Sequence, residues 1–167
     1  MTKPQFPEIL RKYVDGPGWD VIAEQDLDLE FYEEWQDDWM SPWGLDDEAQ
    51  TMLWSFAQEG AGGRVCLWTY DDQPVEFAPV VHIDSEGSCS MLAGNIAEFI
   101  ALTVVGLDPF GIAFSSGAPE AEPPTEVGEQ FLADWNLEVP DSVSKLLEAA
   151  EEAHPDIEEW VFSHVDH

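Results

Sequence analysis

The groups in this chain that could do chemistry are four histidines, two cysteines and thirty-six aspartates and glutamates. So many carboxylates bring some pair within general acid and base distance by chance, so two neighbouring acids identify nothing. His82 lies inside the apolar run "PVVHID", where a packed, hydrogen-bonded imidazole is expected rather than a base. His164, Asp166 and His167 could gather a divalent ion only on a frayed tail, which is a poor preorganised site. Asp26 and Asp28 fit a D-x-D metal pattern, which so acidic a chain produces readily. There is no P-loop, no G-x-S-x-G elbow, no H-E-x-x-H and no dinucleotide glycine fingerprint. Gly60-Ala61-Gly62-Gly63 reads as a tight turn rather than a phosphate cradle, because Glu59 beside it repels phosphate. Cys66 and Cys89 have no C-x-x-C spacing and are expected as buried free thiols in a reducing compartment. These residues predict no catalysis, no metal site and no cofactor.

Charge is the informative property. Five lysines and arginines stand against thirty-six acids, for a net charge of −31 in 167 residues. Spread over the surface expected for this mass, that is about one net charge per 270 Å². An interface of about 800 Å² per partner then carries about three unbalanced negatives wherever it lies. Such a surface repels nucleic acid, whose duplex has about one negative charge per 1.7 Å of axis, and it repels anionic membrane. It attracts a basic protein, with steering that salt screens beyond about 8 Å. Two other origins produce an acidic surface. Halophilic adaptation fits poorly with eight tryptophans and nine phenylalanines, and solubility needs a net charge of only about 2 to 8 in magnitude.

The elements that position these groups follow from periodicity. Phe6, Ile9, Leu10 and Tyr13 predict a short helix over residues 6–14, stopped by Asp15-Gly16-Pro17-Gly18. Leu27, Phe31, Trp35 and Trp39 recur every four residues and predict an amphipathic helix over 27–40 with a strongly acidic outer face. Residues 46–57 fit either a helix or a strand. The glycine-rich turn and the "RVCLW" that follow favour a strand from Leu53 to Ala57. Residues 64–70, 75–83 and 90–93 predict an antiparallel meander, after which Asn95 and Glu98 form a capping-box arrangement for a helix ending at Gly106. Thr125, then Asp141 or Ser142, then Pro155 open three further helices. Length and 44% apolar content predict one domain over 1–167, with a helical part at about 1–45, sheet and helix at about 53–106 and C-terminal helices at about 125–163. The expected fold class is α+β, a single antiparallel or mixed twisted sheet of about four to six strands covered by helices.

The stretch "APVVHIDSEG", followed by "LAGN" and "IAEFIALTVVG", resembles the central signature of the SUKH superfamily. Upstream "WSFAQEGAGGRVCLW" and the tail "VPDSVSKLLEAAEEAHPDIEEW" resemble its glycine-rich hairpin and its C-terminal helices, so the likeness covers roughly residues 53–163. The resemblance implies, for bacterial members, immunity to a secreted or contact-delivered toxin; other members regulate yeast cell-wall synthesis. A regulatory protein-protein interaction domain of the same fold is therefore the alternative expectation. "MTKPQFPEILRKYV" has no apolar h-region, and no run approaches 18 apolar residues, so a cytoplasmic location is expected. The expected partner is a cognate basic toxin. The acids expected to meet it are Glu33, Glu34, Asp37 and Asp38 with Trp43, together with the loop groups Asp46, Asp47, Asp71, Asp72 and Glu86.

Overall fold

Short β-branched and aromatic runs separated by turn residues pair into one antiparallel sheet whose order repeats chain order: β1 (Glu30–Gln36), β2 (Leu53–Gln58), β3 (Arg64–Trp68), β4 (Val80–Ile83) and β5 (Cys89–Ala93). The computed structural model describes residues 4–36, 44–71, 73–84, 86–109, 112 and 121–165. Among the described residues six helices join the sheet: α1 (Glu8–Asp15), α2 (Gly18–Gln25), α3 (Ile96–Val104), α4 (Glu126–Asp134), α5 (Val143–Ala153) and α6 (Ile157–Ser163). The architecture is α+β, as expected.

Alternation along β3 divides the core. Val65 and Leu67 enter a cluster with Phe56, Val80, Leu92, Phe99 and Ile100. Cys66 and Trp68 point to the other face and join Leu53, Val81, Ile83 and Met91. Leu10 and Tyr13 of α1, most of α3 and Phe131 of α4 cover the first face, whereas Ala150 of α5 and Ile157 and Val161 of α6 cover the second. With helices on both sides, a central strand has no solvent face. That is why β3 and β4 read as nearly continuous apolar runs.

The helix starts are chemically marked. Asn95 Oδ1 accepts the Glu98 backbone N–H at 2.9 Å, and the Glu98 carboxylate accepts from the Gly94 N–H at 2.9 Å, one residue further back than a capping box requires. Thr125, Ser142 and Asp156 cap α4, α5 and α6 in the same way, each worth about 1 kcal/mol. Gly106 stops α3 at φ 85°, a conformation favouring glycine.

Two expectations need correction. Residues 30–36 of the predicted 27–40 helix form strand β1, and residues 37–43 lie outside the described residues. A spacing of four is a multiple of two as well as close to one helical turn, so Phe31 and Trp35 satisfy both periods. Leu27, Leu29 and Phe31, all buried, show the true alternation. Pairing with β2 is irregular: five steps from Phe31 to Gln36 answer only two, from Ala57 to Ser55. Second, residues 75–83 are not one strand, because Val75–Phe77 makes a 3-10 turn before β4 begins. The Asp15-Gly16-Pro17-Gly18 cluster ends α1 as expected, and it also starts α2, whose N-cap is Pro17 because its fixed φ is helix-compatible.

Candidate protein-docking surface

The acids singled out in the sequence do not form one patch. Glu33 and Glu34 are exposed on β1, while Asp37, Asp38, Trp43 and Asp72 lie outside the described residues. Leu53 pairs with Trp68, so Asp47 before β2 and Asp71 after β3 project from one end of the sheet, both exposed. Glu86, also exposed, stands in the turn joining Ile83 to Cys89, at the opposite end.

Asp46 is engaged internally. Its carboxylate accepts from the Ala49 N–H at 2.9 Å and pairs with His164 Nδ1 at 2.9 Å, and its own N–H donates to the His164 carbonyl at 2.9 Å. The Ala49 hydrogen bond first, and His164 after it, hold the Asp46 carboxyl below the usual aspartate value. His164 is therefore not on a frayed tail: it is half-buried, with the Trp160 ring 4.3 Å away. Asp166 and His167 lie outside the described residues.

Acidic side chains do converge at a place the sequence reading did not mark. On α2, Asp20 and Glu24 are four residues apart, and on α4, Glu126, Gln130 and Asp134 repeat every four, so each helix presents one polar stripe. The two stripes line a cleft of about 660 Å³ whose walls also include Gly16 and Pro17 and whose apolar lining is Val127 and Phe131. Among the described residues that line it there is no lysine, arginine or histidine.

Contacts made by Gln25, Tyr13 and Gly128 fix this geometry. Gln25 Nε2 donates to the Val104 carbonyl at 2.9 Å and to that of Pro123 at 3.0 Å, anchoring the end of α2 to the segment leading into α4. Tyr13 OH and Thr103 Oγ1 are 2.8 Å apart in the core, with the Tyr13 ring 4.9 Å from that of Phe131. Gly128 lets α4 approach α3, because a Cβ there would lie 2.9 Å from Val104 Cγ1. Asp134 falls in the last turn of α4, where no basic residue offsets it and the negative end of the helix dipole opposes it. The cleft is thus lined by four carboxylates and no cation among the described residues, with Phe131 in its wall and the Gln130 amide donating to Asp134 at 2.8 Å. It suits lysine or arginine side chains delivered by another molecule.

Other titratable groups have structural work. The Glu59 carboxylate, buried at 2% exposure, accepts from the N–H groups of Ala61 and Gly63. The N–H groups of the glycine turn are therefore already taken where a phosphate would have to bind. Asp28 Oδ1 accepts from the Gly60 N–H at 2.9 Å, and Asp26 ends α2 in the left-handed conformation. His82 is fully buried, and burial holds its imidazole below the ordinary value although Glu59 and Asp84 pull it the other way. Both cysteines are free and buried. Burial pushes the Cys66 thiol up, and the Cys89 thiol is pushed up to about 12 by burial and by Glu158, Asp84 and Asp156, so neither is a ready nucleophile. Among the described residues, no three His, Cys, Asp or Glu side chains are gathered as metal ligands.

Comparison with protein-family models, with curated proteins and with solved structures yields no match. Among the described residues, no helix is long and apolar enough to cross a membrane.

Proposed function

We propose that this protein is a non-enzymatic binding protein that captures a basic protein partner, and that it acts as a SUKH-type immunity protein neutralising a cognate toxin in the cytoplasm. The observation that carries this reading is the α2/α4 cleft, which Asp20, Glu24, Glu126 and Asp134 line with no lysine, arginine or histidine among the described lining residues. Carboxylates lining one cleft attract a partner that inserts cations, with a fast, salt-sensitive on-rate. A toxin acting on nucleic acid or on another anionic target is basic for the converse reason, and carboxylates placed in its substrate groove would stand where phosphates bind.

The experiment is capture from the native cell at low and then high salt, with identification of what elutes, repeated with an Asp20→Lys/Glu24→Lys/Asp134→Lys variant. The expected result is a basic protein that salt releases, that the variant fails to retain, and whose toxicity the wild-type chain suppresses. Equal retention by the variant, or a partner without basic character, overturns the proposal.

A further inference from the structure

The sheet has two edges, and they are treated differently. Along β5 every residue but Ser90 is buried, and α5 and α6 pack against the strand. Along β1, Glu30, Glu33 and Glu34 are exposed, and among the described residues the only strand beside it is β2. A strand at an edge presents a row of backbone N–H and C=O groups that a further strand can pair with. The charges decide which strand that can be. A second copy of this chain, laid edge to edge, would set glutamates against glutamates, and like charges directly opposite are destabilising. A strand bearing lysine or arginine meets opposite charge instead, at Glu30 where β1 is regularly paired and at the adjacent Glu33 and Glu34 where its pairing with β2 is irregular, beside the packed Phe31 and Trp35.

We infer that β1 is a strand-addition site, taking an extended, lysine- or arginine-bearing segment of the basic partner as a sixth strand. This rests on the reading of a basic partner given above and adds how it is held: main-chain hydrogen bonds supply binding, and Glu30, Glu33 and Glu34 supply selection. Tyr32 is not available as a ligand group, since its hydroxyl already accepts from Arg64 Nη1 at 2.9 Å.

The test uses a synthetic heptapeptide alternating lysine and valine, titrated into the full chain at low salt, with backbone amide exchange followed residue by residue. Two companion peptides carry N-methyl groups on every valine or on every lysine, which removes the donors of one edge at a time. Expected are slowed exchange at β1 amides, loss of binding for one of the two methylated peptides, and binding weakened about tenfold by Glu33→Lys/Glu34→Lys. Both substituted positions are exposed, so the fold is retained and far-ultraviolet dichroism checks it. Protection that maps to the α2/α4 cleft and not to β1, or equal binding of both methylated peptides, overturns the inference and leaves the proposed function standing. No binding of the unmodified peptide anywhere overturns both. Self-association of the free chain with β1 protected would show a second copy as the occupant and would also overturn it.

Discussion

Beside β5 the sheet is packed with hydrocarbon: Ile157 and Val161 of α6 join Cys89 and Met91, and Ala150 of α5 belongs to the same cluster. Along β1 three of the seven residues are exposed glutamates, and among the described residues no strand pairs with its outer side. Both arrangements prevent indiscriminate pairing, one by covering the strand and the other by charge. The difference matters because a packed cover excludes every partner, whereas a charged edge excludes only those of its own sign. The first should respond to lost hydrocarbon and the second to salt and charge reversal.

Removing hydrocarbon from the covered edge should have the largest effect. Ile157→Ala should lower unfolding free energy by about 2 to 4 kcal/mol, the cost of a buried aliphatic truncation, read as a shift in denaturant midpoint. A loss below about 0.5 kcal/mol would mean that α6 does not hold the edge.

Acid should have an intermediate and local effect. The folded Asp46 carboxyl lies below its ordinary value, so its contribution is complete above the unfolded aspartate value and is lost as pH falls through the lower folded one. Below about pH 4 the His164 clasp should open, and the near-ultraviolet signal of Trp160, whose ring is tilted against that of His164, should change with it. Asp46→Asn should remove that acid step, and its persistence in the variant would assign the step to another carboxyl. The smallest effect belongs to the charged edge itself: Glu33→Lys/Glu34→Lys should leave stability within about 0.5 kcal/mol in the absence of partner. A larger change would show that the glutamates hold the native strand rather than select its neighbour.

The parts of this fold that were legible in the sequence were those specified locally. Asn95 with Glu98, Thr125 and Ser142 announce helices because each cap satisfies an amide three residues on. Gly60 to Gly63 and Asp84 to Gly87 announce hairpins because only turn chemistry fits them. Strand β1 was misread because Phe31 and Trp35 fit two periods and because the adjacent acids Glu33 and Glu34 interrupt the alternation begun by Leu27 and Leu29. The docking cleft was illegible for a different reason. It joins residues 20–24 to residues 126–134, and no local pattern says which two helices will meet. Asp46 likewise looked like a free loop acid, since its partner His164 is 118 residues away.

The position of α6 has a consequence for biosynthesis. Trp68 and Cys66, both without exposed surface, face the side of the sheet that this late helix covers. While residues before 157 emerge from the ribosome, β2 to β5 can already pair, yet the nascent chain carries an oily panel that Ile157 and Val161 do not yet cover. A message truncated ahead of α6 therefore yields a sticky product that quality control must intercept, however soluble the finished polyanion is.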